Sequence, residues 1–297
     1  MDGKRVIGVD LGGTKILAGV VDRDGHVERR REHPTPTASQ EELLGGLDSA
    51  VDELMSEEIG ALGFGIPSPI DQRSGRARQA VNIPLGEIDF RSRMAERFGV
   101  PVGIENDANA ATYAEFRFGA GRDVDDMVML TLGTGCGGGA VIDGRLFRGW
   151  AEFGHMVIVY DGLPCQGSCT GRGHLEPYVT GVAAGKLAQA EFGPAVDAHR
   201  LVRLAGEGEQ RAVEILDGIG RHLGAGIGSL VNIFNPQLVV IGGGFAAAGD
   251  FVLDPAREVL RREALAQAGE RVRIVRAELG TAAGLIGAGL VAFDELE

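Results

Sequence analysis

The sequence predicts an α/β protein made of two related lobes, and three observations carry that expectation. Strand-like runs alternate with stretches of helical apolar periodicity along the whole chain. A strand, a glycine turn and a second strand occur at residues 5 to 22, and the same plan returns at residues 126 to 147. The chain has 297 residues and a hydrophobic content of 44%, enough for two moderate cores. Two lobes of common design suggest a ligand placed between them.

The elements follow in order. Arg5 to Val9 reads as a strand, Asp10-Leu11-Gly12-Gly13-Thr14-Lys15 as a glycine turn, and Ile16 to Val21 as the returning strand. The polar stretch Glu32 to Gln40 is the nearest thing to a linker. Gln40 to Met55 looks helical, Ala61 to Ile66 is a buried strand, and Phe90 to Phe98 is a short helix stopped by Gly99. Val102 to Glu105 is another strand, leading into a helix from Asp107 to Phe118. In the second half, Met127 to Leu132 enters the run Gly133 to Gly139, and Ala140-Val141-Ile142 leads out to the turn Asp143-Gly144. Val213, Leu216, Ile219, Leu223, Ile227, Leu230 and Phe234 recur every three or four residues and form one inward helical face. Leu238 to Ile241 is a buried strand ending at Gly242-Gly243-Gly244, and Thr281 to Phe293 is a glycine-rich apolar helix. Leu223 to Gly249 lacks any charged residue for longer than a bilayer requires, yet Asn232, Asn235, Pro236 and Gln237 interrupt it. It reads as helix, turn and strand, so no membrane partner is expected.

Charge and cysteine content narrow the function classes. Lys and Arg number 29 against 42 Asp and Glu, a formal net charge of -13, which repels nucleic acid. Three cysteines fit a reducing compartment, two of them, Cys165 and Cys169, suiting a metal clip better than a disulfide framework. Met-Asp-Gly-Lys-Arg runs into Val6-Ile7-Gly8-Val9 with no apolar targeting segment, so a cytoplasmic protein is expected.

Three groups of residues carry chemistry. Glycine turns let backbone N–H groups approach phosphate oxygens that a side chain would obstruct. The first turn adds Asp10, suited to Mg²⁺ through water, with the Thr14 hydroxyl and Lys15 for phosphate oxygens, and the second adds Thr134. Each turn alone also reads as a simple hairpin, and neither has Walker A spacing. Glu105-Asn106-Asp107-Ala108-Asn109-Ala110 sets a carboxylate where it can take a proton from a sugar hydroxyl while Asn106 orients the sugar; the competing reading is a helix N-cap. His155, Cys165, Cys169 and His174 form the pattern H-x9-C-x3-C-x4-H, a donor set for a closed tetrahedral Zn²⁺ site. Glu152 and Glu176 flank it and would present acceptors to sugar hydroxyls, the competing reading being solvated surface charges. Cys136 reads as a packing residue.

These motifs, Asp10 to Lys15, Glu105 to Asn109, Leu132 to Gly137 and Glu152-Phe153-Gly154-His155, stand in the order found in the ROK family, and the chain is similar to that family over essentially its whole length. The resemblance implies the actin-like ATPase (ribonuclease H-like) fold: two α/β domains with a cleft between them. Residues 1–117 would form the small N-terminal domain, joined by a C-terminal helix 285–297, and residues 118–284 the large domain with the zinc-binding segment. It implies ATP-dependent phosphoryl transfer to the 6-hydroxyl of glucose with Asp107 as general base. The sugar would be held by Asn82, Asn106, Asp107, Glu152, His155 and Glu176. The nucleotide would lie along Asp10, Gly12, Gly13, Thr14, Lys15, Gly133, Thr134, Gly135 and Gly137, and against Gly242-Gly243-Gly244.

The expected cofactors are ATP, Mg²⁺ and structural Zn²⁺, and the expected assembly is a homodimer or homotetramer. Two departures from the family pattern fall in the zinc segment, where His174 stands at the position of an expected last Cys and the second Cys is displaced, which makes the expected site one of two Cys and two His; two border the sugar pocket, where Ser68 replaces Gly and no Trp follows Asn82-Ile83-Pro84. Mannose, fructose, N-acetylglucosamine and N-acetylmannosamine therefore remain alternative acceptors, and polyphosphate an alternative donor. The family also contains sugar-responsive repressors, a reading opposed by the nine residues ahead of Asp10 and by the acidic charge. A glycosidase pair of Asp107 and Glu152 would leave both glycine turns without a purpose.

Overall fold

A computed structural model describes residues 4–80 and 83–297 of the chain. Asn82, one of the expected sugar contacts, lies outside the described residues. The chain divides into two compact units, one of residues 1–122, 146–150 and 279–297, the other of residues 123–145 and 151–278.

The first unit contains β1 (Arg5–Leu11), β2 (Lys15–Val21), β3 (Val27–Pro34), α1 (Gln40–Asp52), β4 (Ile59–Ile66), the short pair β5 (Ile70–Asp71) and β6 (Arg76–Ala77), α2 (Phe90–Phe98), β7 (Val102–Asn106) and α3 (Asp107–Phe118). Its main sheet has the order β3-β2-β1-β4-β7. The hairpin strands β1, β2 and β3 are antiparallel, whereas β1, β4 and β7 run parallel. β4 is buried at every position, as expected of a central strand covered on both faces. α1 is capped by the Ser39 hydroxyl, which accepts from Glu42 N, and α2 by Asp89, which accepts from Ser92 N. α2 stops where Gly99 takes a φ of 69°, the left-handed conformation that glycine adopts without strain.

β3 is one of the elements that the sequence did not announce. Its residues, Val-Glu-Arg-Arg-Arg-Glu-His-Pro, show no apolar alternation and are largely exposed. They form the edge of the sheet, where charged side chains blunt an open ladder.

The second unit repeats the plan. It contains β8 (Met127–Leu132), β9 (Cys136–Ile142), the start of β10 (Arg145–Leu146), α4 (Glu176–Val179), α5 (Gly181–Phe192), α6 (Ala198–Gly206), α7 (Gln210–Phe234), β11 (Leu238–Gly242), α8 (Asp250–Glu263), α9 (Ala266–Gly269) and β12 (Arg273–Arg276). The sheet order β10-β9-β8-β11-β12 mirrors that of the first unit, with β8 and β9 antiparallel and β8, β11 and β12 parallel. α7 buries Leu216, Ile219, Leu223, Ile227 and Leu230, while Val213 and Phe234 pack at its margins. The helix ends on Asn235, whose φ of 47° breaks the charge-free run where the polar residues predicted a turn. No helix among the described residues is long and apolar enough to cross a membrane.

The second glycine turn is shorter than its sequence suggested. Gly137, Gly138 and Gly139 belong to β9 and pair with Thr131, Leu130 and Met129, so only residues 133–135 remain as the turn. Glycine is needed at position 138 because a Cβ there would lie 2.5 Å from the Phe153 ring. After β12 the chain returns to the first unit as α10 (Ala283–Asp294), which is buried from Ala283 to Phe293 and lies against β1, β4, β7 and α3.

Candidate active site

In the first unit the chemistry collects at the carboxyl ends of the parallel strands, the usual ligand edge of an open α/β sheet. The register aligns Asp10 with Gly65 and Gly65 with Glu105, which puts Asp10, Asn106 and Asp107 at one edge. Asn106 is the N-cap of α3: its Oδ1 accepts from Ala108 N at 2.9 Å and Asn109 N at 3.2 Å. Asp107 Oδ1 also accepts from Ala108 N at 2.9 Å. Burial outweighs these bonds and raises the Asp107 carboxyl above its ordinary range. Asp10 is raised to about 7, first by burial and then by the charge of Asp107, with Lys15 acting in the opposite direction.

The first glycine turn closes through Gly12 N donating to Lys15 O at 2.9 Å, and Thr35 Oγ1 donates to Gly12 O at 2.7 Å. Gly13 and Thr14 are exposed, and Lys15 forms a 3.2 Å ion pair with Glu32. A Cβ at Gly13 would meet nothing within 4 Å, so the protein's own packing does not demand glycine there.

A polar network that the sequence did not reveal lies beneath this edge. Glu105, 2% exposed, accepts from Asn106 N at 2.9 Å, Asn109 Nδ2 at 3.1 Å and Gln72 Nε2 at 2.9 Å. Asn109 Nδ2 also donates to Gly149 O at 3.3 Å, which ties the segment 146–150 to α3. Arg148 and Trp150 complete a pocket of about 10 Å³, room for one water. The only available signal was Glu105 itself, a charged residue in an otherwise apolar strand.

In the second unit the glycine turn stands at the end of β8, and Gly242-Gly243-Gly244 at the end of its parallel neighbour β11. Gly133 N donates to Gly135 O, and Gly181 N, at the start of α5, donates to Gly133 O, both at 2.9 Å. Gly243 has a φ of 81° and lies so close to β8 that a Cβ would sit 2.3 Å from Leu132 O. Gly133 and Gly244, by contrast, have nothing within 4 Å of a built Cβ, and Thr134 is exposed. Glu176 Oε2 accepts from Cys136 N at 2.9 Å, and its Oε1 lies 4.0 Å from Cys165 Sγ. The side chain expected at the sugar thus braces the glycine hairpin. Cys136 is buried, and burial pushes its thiol well above the ordinary range, in keeping with a packing role.

His155, Cys165, Cys169 and His174 come together, with one ligand atom from each lying within 4.8 Å of the others. Cys169 Sγ and His174 Nδ1 are 3.7 Å apart, close to the spacing of about 3.6 Å between sulfur and nitrogen vertices around tetrahedral zinc. The donor set fits Zn²⁺. Two antiparallel bridges, Val157 with His174 and Pro164 with Arg172, hold the loop that carries it. Glu152 and His155 are both exposed, with Glu152 Oε2 3.7 Å from His155 Nδ1.

The sequence model of the ROK family matches residues 6–295. The chain belongs to the ROK family. Among ROK relatives, a glucokinase of Streptomyces coelicolor is 35% identical over 95% of each chain. A xylose repressor of Bacillus subtilis is 28% identical over 97% of this chain and 77% of its own length. A solved structure of a ROK family glucokinase from Streptomyces griseus, in complex with glucose and AMPPNP, superposes with a TM-score of 0.86 at 34% identity, covering 98% of this chain and 99% of that one. The protein accordingly has the actin-like ATPase fold of ROK sugar kinases, with two α/β units.

Proposed function

We propose that the protein is an ATP-dependent sugar kinase that transfers the γ-phosphoryl group of Mg·ATP to the 6-hydroxyl of glucose, with Asp107 as general base. The observation that carries this reading is the placement of Asp107 at the first turn of α3, beside Asp10 and partly buried, with its carboxyl raised by burial. A carboxyl tuned upward is a better proton acceptor for an alcohol than one at the ordinary aspartate value. The similarity to glucokinases over nearly full length supports glucose as the acceptor.

The 6-hydroxyl gives its proton to Asp107 as its oxygen bonds to the γ-phosphorus, and the bond to the β–γ bridging oxygen breaks to release ADP. Asn106, fixed as the N-cap, holds Asp107 in place from the preceding position and offers its amide nitrogen to the sugar. Asp10 would hold the metal of Mg·ATP through water, and the Thr14 hydroxyl would donate to phosphate oxygens. The open backbones of Gly133 and Gly244 admit phosphate and nucleotide without a side chain in the way. His155, Cys165, Cys169 and His174 would hold zinc, whose part is to fix the loop carrying Glu152 and Glu176.

A coupled assay with glucose, mannose, fructose, N-acetylglucosamine and N-acetylmannosamine, run with ATP and with polyphosphate, tests the proposal. The highest kcat/KM is expected for glucose with ATP. A tenfold preference for another sugar would replace the acceptor, and absence of transfer to every sugar would sink the kinase reading.

A further inference from the structure

α10 rests on the sheet largely by backbone approach, Gly289 facing the apolar Val21 side chain at 3.0 Å, but Gly284 faces a carboxylate. A Cβ built at Gly63 would lie 1.8 Å from Ala288 O, one at Gly8 2.2 Å from Leu285 O, and one at Gly287 1.8 Å from Ala110 O. In each case a side chain would strike a carbonyl of the opposing element, so these glycines serve packing. At Gly284, the second residue of α10, the built Cβ would instead lie 2.5 Å from Asp10 Cγ, 2.5 Å from Oδ2 and 2.8 Å from Oδ1. The Asp10 carboxylate fills the space that any other residue at position 284 would take. Around the same point, a Cβ on Gly65 would stand 3.5 Å from Asp107 Cα and 3.9 Å from Gly284 O. Gly284 therefore borders the place where β1, β4 and α3 bring the two carboxylates together.

We infer that Gly284 is a positioning residue: the side chain it lacks sets where the Asp10 carboxylate sits and how far it stands from Asp107. This rests on the kinase reading for its catalytic consequence, though not for its structural one. A methyl group at position 284 leaves the backbone of α10 intact, because alanine suits a helix better than glycine does. The carboxylate gives way, having a rotatable side chain where Gly8, Gly63 and Gly287 meet backbone. Restoring an ordinary contact from 2.5 Å requires a movement of about 1 Å, the scale on which misplacement costs up to a hundredfold in rate.

The test compares wild type, Gly284→Ala, Asp10→Ala, the double variant and Gly287→Ala. Thermal unfolding, glucose affinity by calorimetry, kcat, KM and the Mg²⁺ dependence of turnover are measured. Gly284→Ala is expected to keep glucose affinity within twofold, lose tenfold to a hundredfold in kcat, and need more Mg²⁺ for half-maximal rate. Its melting temperature should fall when Asp10 is present and not when Asp10 is Ala, whereas Gly287→Ala should be destabilised through its backbone clash. A kcat and Mg²⁺ dependence within twofold of wild type overturns the inference, as does an equal loss of melting temperature in both backgrounds. If Gly284→Ala does not fold, recovery of folding in the double variant supports the inference, and failure of both overturns it. If the wild-type protein phosphorylates no sugar, the kinase reading falls, and the melting comparison alone still decides the role of Gly284.

Discussion

The charge of Asp107 adds to burial in lifting the Asp10 carboxyl to about 7. In an unfolded chain Asp10 would titrate near 3.8, so the folded state holds the proton more tightly than the unfolded state does. A raised folded pKa contributes stability that is fully present below the unfolded value and is lost as pH rises through about 7. The unliganded protein should therefore lose melting temperature between pH 5 and pH 8 from this pair. Asp107→Asn removes the charge cause and leaves burial, so the variant should be more stable relative to wild type at pH 8 than at pH 5. A melting series across that range checks it, and an offset independent of pH would refute the coupling.

Asp107→Asn also tests the chemistry. An amide cannot take the hydroxyl proton, and loss of a general base typically costs a factor of about 10² to 10⁴ in kcat. The variant should still bind glucose, because Asn106, Glu152 and His155 are untouched. In wild type the ionised form of Asp107 is the active one, so turnover should rise with pH through a value above that of an ordinary aspartate. Near-normal turnover by a folded, sugar-binding Asp107→Asn protein would remove Asp107 from its role.

Glu105 supports the site without facing the sugar. Replacing it by Ala leaves Asn106 N, Asn109 Nδ2 and Gln72 Nε2 short of an acceptor, and each unsatisfied buried donor costs about 1–3 kcal/mol. Asn109 Nδ2 keeps its bond to Gly149 O and Gln72 Nε2 its bond to Ile104 O, which softens their shares. Glu105→Ala should lower the melting temperature by several degrees and reduce kcat through a loosened α3 start. Denaturant unfolding indistinguishable from wild type would show that the network carries no stability.

The strands and helices read from the sequence were legible because their periods are strong, whereas α5, α6, α8 and β12 were not read. α2 and α3 have the bounds read from their caps, Gly99 and the Asn106-Asp107 pair, and the doubled hairpin suggested two related lobes, whose sheets share one strand order. β3 escaped because its residues serve an exposed edge, where packing imposes no apolar pattern. The second glycine run was read as too long a turn because glycine is compatible with both turn and strand, and only its pairing with Thr131, Leu130 and Met129 decides. The association of residues 146–150 with the first unit left no trace in composition, since it depends on Asn109 reaching Gly149 across 40 positions. The grouping of His155, Cys165, Cys169 and His174 was legible from residue type and spacing, whereas the bond from Cys136 N to Glu176 belongs to tertiary structure alone.

That last bond gives the zinc proposal its sharpest consequence. Protein purified without chelator should carry about one zinc per chain, and Cys169→Ala, which removes one of four donors, should carry much less. His174→Cys replaces an imidazole by a thiolate of the kind the family pattern places there, so it should retain the metal. Loss of zinc frees the loop holding Cys165, whose sulfur lies 4.0 Å from Glu176 Oε1, and with it the carboxylate that accepts from Cys136 N beside the glycine turn. The metal-poor variant should therefore show a raised KM for ATP as well as for sugar, in addition to a lower melting temperature. A protein that contains no zinc by elemental analysis, or a Cys169→Ala variant with wild-type zinc content, would remove the metal from this account.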